Sequence, residues 1–206
     1  MIAALYVLER GPYVGLPDVD PWPESRDARA YAGPHPVVAH PPCERWGRSA
    51  DGGSAAREKR TPGDDGGCFA AALASVRRWG GVMEHPEGSA AYAAHGLTRP
   101  PRGGGWVQAD DMGGWCCCVA QGHYGHEAQK FTWLYCVRTE RPELIWGPCV
   151  GMVEARDARL GVVRSTPEQV ARARKTGVLQ RMSKRQRCAS PPAFRDLLIS
   201  MARSVR

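Results

Sequence analysis

Short apolar runs, each ending at a proline or a charged residue, recur along the first half of the chain. Residues Ile2 to Leu8 form one run, and Pro36 to Ala39 form a second that stops at two more prolines. Because proline fixes φ and cannot continue a hydrogen-bonded ladder, the second run predicts a buried strand that ends in a stiff turn. A third run opens at Val82 and ends at Glu84-His85-Pro86. We expect strands whose carboxyl ends meet at one edge of a sheet.

Helical periodicity replaces these runs between Asp64 and Trp79, where Phe69, Leu73 and Val76 recur on one face. A second amphipathic helix is predicted at Pro191 to Arg203. The alternation of strands and helices predicts an α/β domain with a mostly parallel sheet. The remaining expectations are helical turns at Ser25 to Tyr31 with Ser25 as the cap, a helix at Pro167 to Lys175, paired strands at Trp115 to Ala120 and Phe131 to Val137, and loops at Gly47 to Gly67 and Leu97 to Gly114.

Length and composition limit the number of domains. The 206 residues, 43% of them hydrophobic, suffice for one good core. We therefore expect an α/β domain at residues 1–150, with a basic helical segment at 151–206 that packs on or extends it. No run approaches the ~18 apolar residues of a membrane span, and no signal pattern is visible, so we expect a cytoplasmic protein with no membrane partner.

Charge is concentrated near the carboxyl end of the chain. Residues 154–206 hold 13 Lys and Arg against 4 Asp and Glu, a net charge of +9 in a chain whose total is +7. A basic segment beside a nearly neutral body suits a polyanion such as nucleic acid. A solubilising helical surface explains the same charge equally well, because charge alone carries no specificity.

Eight scattered cysteines, three of them the run Cys116-Cys117-Cys118, favour reduced thiols over a disulfide scaffold. A zinc site built from His40, Cys43, this run, His123 and His126 is an alternative. Its spacing is unfavourable, because structural zinc usually takes paired Cys-x-x-Cys ligands and adjacent cysteines do not easily converge on one ion. We therefore predict no metal.

The turn His40-Pro41-Pro42-Cys43 is the most informative feature of the chain. It presents one thiol at the carboxyl end of a strand, where open α/β sheets hold ligands and chemistry. Cys43 is thus a candidate nucleophile, although free cysteines are often simply buried. Glu84, at the end of the next predicted strand, is expected to face the same crevice and favours the functional reading.

The order of these features resembles the cytosine-C5 DNA methyltransferases. In that family a Pro-Cys turn carries the nucleophile, a Glu-Asn-Val carries an acidic partner, and a Tyr-Gly-Val-Pro-Gln-x-Arg-x-Arg stretch leads into a strand. Here Cys43, Glu84, and Tyr124-Gly125 followed by Lys130 occur in that order. The resemblance spans about Val37 to Val137 and implies a truncated, Rossmann-like methyltransferase fold, S-adenosylmethionine as cofactor, and a bacteriophage source acting in the host cytoplasm.

The resemblance also implies roles for individual residues. Cys43 would add to C6 of the pyrimidine, Glu84 would hydrogen-bond the ring at N3 and the exocyclic amine, and Lys130 would orient the ring or a phosphate. A base in a duplex would have to be flipped out of the stack. Trp46 would form a wall of the base pocket, and Arg181, Lys184, Arg185 and Arg187 would contact phosphates.

The chain departs from the family where the methyl donor would bind. The family's Phe-x-Gly-x-Gly loop is replaced after Leu8 by Glu9-Arg10-Gly11-Pro12. Nothing between Val137 and Arg206 is long enough for the family's target-recognition domain, so we expect none. Asp18 and Asp20 are candidates to bind the donor's ribose, and Trp22 to bind its adenine. The leading hypothesis is modification of a pyrimidine base in DNA or a nucleotide. The alternative is a degenerate methyltransferase fold that binds nucleic acid or a host protein without turnover.

Overall fold

One seven-stranded sheet organises the chain, seen here in a computed structural model that describes residues 1–47, 61–150, 152, 186 and 188–206. The strands are β1 (Ile2–Val7), β2 (Val19–Pro23), β3 (Val37–Ala39), β4 (Gly81–Pro86), β5 (Val107–Gln108), β6 (Trp115–Ala120) and β7 (Phe131–Val137). The α-helices are α1 (Cys68–Trp79), α2 (Ala90–Ala94) and α3 (Pro192–Arg203), and short 3-10 helices span Glu24–Arg26, Ala28–Ala30 and Gln121–Tyr124.

The sheet is mixed, so the expectation of a mostly parallel sheet is wrong. Its order is β2-β1-β3-β4-β7-β6-β5; the three pairings from β2 to β4 are parallel, and the three from β4 to β5 are antiparallel. The physical reason is the length of the connections. Residues 109–114 and 121–130 are too few to carry a chain back across the sheet through a helix, so the strands that they join must run antiparallel.

Helices cover both faces of the sheet and create two apolar layers. On one face Phe69 and Val76 of α1 pack against Leu5 and Met83. On the other face Phe194 and Leu198 of α3 pack with side chains that include Val38, Val82 and Leu134. Successive residues of a strand point to opposite faces of the sheet, so adjacent residues along a strand contribute to different apolar layers. An α/β class is therefore confirmed.

The α1 helix begins four residues later than its periodicity suggests, because Asp65 forms its entry. The Asp65 carboxylate accepts hydrogen bonds from the backbone N–H groups of Gly67 and Phe69, at 2.9 and 2.8 Å. These groups have no partner within the helix, so a nearby carboxylate satisfies them. Gly80 ends the helix as predicted, and its N–H bonds to the Val76 carbonyl.

Local sequence does not predict β2. The prolines and aspartates of residues 17–21 indicate a turn, yet Val19–Pro23 pair in parallel with β1 at the edge of the sheet. An edge strand tolerates proline since one side of its backbone needs no partner. The helical turns expected at Ser25 to Tyr31 are two 3-10 helices, and Asp27 rather than Ser25 caps the second through the N–H of Arg29.

The carboxyl-terminal helix is confirmed at Pro192–Arg203 and packs against β1, β3 and β4. The predicted helix at Pro167 to Lys175 lies outside the described residues, as does most of the basic segment at 151–206. Among the described helices, none has the length and apolar character that crossing a membrane would require.

Gly81 lets β3 and β4 approach closely. Its φ of +124° lies in the region that favours glycine, and a Cβ built there would collide with the carbonyl oxygen and the backbone nitrogen of Val37. Since both atoms belong to the neighbouring backbone, rotation of a side chain cannot relieve the collision. The parallel pairing of β3 with β4, which positions Glu84, therefore requires a residue without a side chain at position 81.

We expect Gly81→Ala to lower the free energy of unfolding by roughly 2–4 kcal/mol, because it combines backbone strain with displacement of β3. Gly15→Ala is the matched control: Gly15 has a φ of +78° with nothing within 4 Å of a Cβ, so it should cost only about 1 kcal/mol. Urea denaturation of both variants measures the difference, and equal costs would refute the close approach.

Candidate functional site

Side chains from four segments converge where β3 and β4 end. After β1, the chain adds β2 on one side of β1 and then adds β3 on the other side. The strand order therefore reverses between β1 and β3. In open α/β sheets ligands bind at such a point, beyond the carboxyl ends of the strands. The turn that carries Cys43 lies at this end of the sheet, as the sequence predicts.

The register of β3 and β4 brings His40 and Glu84 together. Val38 pairs with Val82, and both face the α3 layer. Two residues further along each strand, His40 and Glu84 therefore point to the same face. The Nδ1 atom of His40 lies 3.1 Å from Oε2 of Glu84, and its Nε2 atom lies 2.8 Å from the Tyr13 hydroxyl. A chain of hydrogen bonds thus joins Tyr13, His40 and Glu84.

Glu84 is a buried carboxylate with several donors. Besides His40, the amide nitrogen of Gln121 donates to Oε1 at 3.2 Å, and the hydroxyl of Thr132 donates to the same oxygen. Burial alone would raise the pKa of Glu84, but the hydrogen bond from His40, the charge of Lys130 and the other donors outweigh it and hold the pKa at about 2. Glu84 therefore stays ionised at neutral pH.

Cys43 is partly exposed, and its environment keeps the thiol protonated. Burial is the main cause, followed by the negative charge of Glu84 and the nearby Cys188; Lys130 opposes them, and the pKa of Cys43 rises to about 11. Thiolate is the reactive form of cysteine, so this thiol must lose its proton as it reacts. The structure brings Cys43, Glu84 and Lys130 within electrostatic range of one another.

Lys130 connects the site to the segment before α3. Its Nζ donates to the carbonyl oxygen of Ala189 at 3.4 Å, and the adjacent Cys188 lies close enough to Cys43 to raise the pKa of that thiol. The polypeptide that leads out of the basic region therefore passes the mouth of the site. Part of the hydrogen-bonding capacity of Lys130 is therefore already used, and its role in orienting a ring or a phosphate stays a prediction.

His85 and Trp46 belong to the opposite layer. His85 is fully buried against Phe69, and the Pro42 carbonyl approaches its ring without reaching hydrogen-bond geometry. Burial lowers the pKa of His85 to about 4, so its ring is neutral. The indole N–H of Trp46 donates to Asp65 at 2.7 Å, which ties the turn after Cys43 to the start of α1. A role for Trp46 in a base pocket stays a prediction.

The three candidate donor-binding residues lie in β2 or directly before it. The carbonyl of Asp18, one residue before the strand, accepts from the N–H of Ile2. Asp20 and Trp22 lie together and both contact Arg26: its guanidinium bonds Asp20 at 2.5 Å and stacks 4.0 Å from the centre of the Trp22 ring. A donor site at these residues stays a prediction.

The other predicted residues give two further outcomes. Arg181, Lys184, Arg185 and Arg187 lie outside the described residues. Among those that are described, no group of three or more His, Cys, Asp and Glu side chains could hold a metal ion. Alternation along β6 explains part of this, since Cys116 and Cys118 face the α1 layer and Cys117 faces the α3 layer.

Three residues of the site were not found from the sequence. Tyr13 lies in a loop with no motif, and Gln121 follows a strand without any distinguishing pattern. Thr132 stands where the Tyr-Gly-Val-Pro-Gln-x-Arg-x-Arg stretch of the cytosine-C5 DNA methyltransferases has its second arginine. In the structure its hydroxyl contacts Glu84, so the replacement of arginine by threonine was the available signal.

Comparison with known proteins finds no matching family model, no matching curated protein and no matching solved structure.

We expect Glu84→Gln to destabilise the protein most near pH 7 and least near pH 2. The folded pKa of about 2 lies below the ordinary 4.5, so the carboxylate stabilises the fold above about pH 4.5 and loses this contribution as the pH falls towards 2. The loss at pH 7 should be roughly 3 kcal/mol by denaturant unfolding. Glu140→Gln, at an exposed pair with Arg206, is the control and should change little at any pH.

Proposed function

We propose that this protein modifies a pyrimidine base that carries an exocyclic amine, in DNA or a nucleotide, through covalent attack by Cys43. One observation carries the proposal: a thiol and an ionised, buried carboxylate lie at the carboxyl ends of two adjacent parallel strands. The resemblance to the cytosine-C5 DNA methyltransferases assigns these two residue types the same partnership. The parallel half of the sheet, with its change of direction beside β3, supports a Rossmann-like relationship.

The addition step consumes no other reactant. A bond forms between Cys43 Sγ and C6 of the ring, the π electrons of C5 and C6 move towards N3, and the thiol proton ends on N3. This makes C5 nucleophilic. Since the pKa of Cys43 is raised, the thiol arrives with its proton, and the ring nitrogen is the natural final acceptor.

The acceptor atoms near Glu84 suit an amino group. A carboxylate can accept about four hydrogen bonds, and His40, Gln121 and Thr132 use three of those positions. The Oε1 atom of Gln121 is buried beside Glu84 and has no hydrogen-bond partner among the described residues. Together they offer two acceptors to the two hydrogens of an exocyclic amine, whereas the carbonyl of uracil would face acceptors only.

Two observations count against S-adenosylmethionine at the candidate donor-binding residues. Arg26 contacts both Asp20 and Trp22, and no Gly-x-Gly follows β1. In addition, Tyr13 is only 2% exposed and bonds to His40 between the ends of β1 and β3. These contacts favour the second candidate function, a methyltransferase-like fold that binds nucleic acid or a host protein without turnover.

A 5-fluorocytosine oligonucleotide tests the nucleophile. We expect incubation with S-adenosylmethionine to produce a covalent protein–DNA adduct visible by denaturing electrophoresis, and we expect Cys43→Ala to abolish it, because fluorine at C5 blocks the departure of the enzyme. Cys68→Ala is the matched control, since Cys68 is also partly exposed but lies at the start of α1. An adduct that survives Cys43→Ala, or no adduct with the wild-type protein, would contradict the proposal.

Calorimetry separates the two candidate functions. We expect saturable binding of S-adenosylmethionine by the full chain, because the adduct assay depends on methyl transfer. Its absence, together with salt-dependent binding of single-stranded DNA, would instead support the candidate that binds without turnover.

A further inference from the structure

His40 holds together the two halves of the candidate site. It lies one residue beyond β3 and directly precedes the two prolines that lead to Cys43. Its ring contacts Tyr13 on one side and Glu84 on the other, at 2.8 and 3.1 Å. Proline restricts φ, so the short segment from His40 to Cys43 has little freedom of its own. Whatever fixes the His40 ring therefore also restricts where the thiol can lie.

The direction of the hydrogen bonds in this chain follows from its two ends. Glu84 is ionised and can only accept, so Nδ1 of His40 carries a proton. Burial and the charge of Glu84 raise the pKa of Tyr13, so its hydroxyl remains protonated and can donate to Nε2. Nδ1 of His40 then faces Glu84 and Nε2 faces Tyr13, so each polar atom of this hydrogen-bonded chain has a partner.

Charged and titratable groups from neighbouring elements lie close to the hydrogen-bonded chain formed by Tyr13, His40 and Glu84. Lys130, before β7, lies near Glu84, and Cys43 lies in the adjoining turn. From α3, Arg195 lowers and Asp196 raises the pKa of Tyr13. Arg195 also donates to the carbonyl of Pro12 at 2.9 Å, which holds the Tyr13 loop against the helix. The hydrogen-bonded chain is thus anchored to α3 at its Tyr13 end and to β4 at its Glu84 end.

We propose that Tyr13 and His40 are positioning residues that set the distance and orientation between the Cys43 thiol and the Glu84 carboxylate. This inference rests on the proposed function and deepens it. His40 holds Oε2 of Glu84, and Tyr13 prevents rotation of the His40 ring. The remaining acceptor position of Glu84 and the thiol then face one substrate in a constant geometry.

Alkylation of Cys43 by iodoacetamide at pH 8, followed by mass spectrometry of each cysteine peptide, tests this without any substrate. We expect His40→Ala to speed alkylation of Cys43 roughly 10-fold, because the freed turn leaves the field of Glu84 and becomes more exposed. His40→Asn, which keeps an N–H group near the position of Nδ1, should remain close to the wild type. Buried Cys117 reports folding and should stay protected in every variant.

The adduct assay tests the same residues in the reaction. We expect His40→Ala to slow adduct formation roughly 100-fold and Tyr13→Phe about 10-fold, with partial recovery in His40→Asn. Tyr31→Phe is the matched control, because Tyr31 is also a buried tyrosine and its hydroxyl bonds only with the backbone of His35. Equal rates for Tyr13→Phe and Tyr31→Phe would overturn the positioning role.

Nitrogen NMR of the imidazole distinguishes failure of this inference from failure of the proposed function. We expect the proton of His40 on Nδ1 in the wild type, with the Nε2 signal displaced in Tyr13→Phe and unchanged in Tyr31→Phe. A proton on Nε2 alone would overturn the chain. If the spectra and the alkylation rates agree with expectation but no adduct forms, the positioning of the thiol stands and the proposed reaction fails.

Discussion

A buried negative charge at the end of β4 constrains the architecture around it. An isolated carboxylate in a protein interior is very costly, and it persists only when donors replace the water that it has lost. Glu84 draws those donors from three places: His40 beyond β3, Gln121 beyond β6 and Thr132 on β7. The parallel and antiparallel halves of the sheet therefore meet at one ionised group, and each half supplies part of its hydrogen-bond shell.

The same charge determines the chemistry available to the thiol. Burial, and after it the charge of Glu84, raises the pKa of Cys43, so the site does not store a thiolate that would react with any electrophile. A substrate that brings its own proton acceptor, such as a ring nitrogen, complements this environment. Arg26 contacts Asp20 and Trp22, two of the residues considered for a methyl donor. These two features explain why covalent pyrimidine chemistry and binding without turnover are the two candidate functions.

Elements with strong local signals were predictable. The run before Cys43, the helix of Phe69 and Leu73, and the strands on either side of Gly122 agree with the structure, because burial on one face imposes a period on the sequence. The prolines of β2 misled, since edge position is a tertiary property. The direction of β6 and β7 also required tertiary information, since periodicity shows that residues form a strand and does not show how that strand pairs.

The sequence by itself determined which chemical groups were available: a thiol after two prolines, a carboxylate at a strand end and a lysine before another strand. Only the tertiary structure decided which groups act together. It joined Tyr13, His40 and Glu84, although Tyr13 and Glu84 are 71 positions apart in the sequence. The physical reason is that strand register and the solvation of a buried charge depend on neighbours in space, whereas local propensity depends on neighbours in sequence.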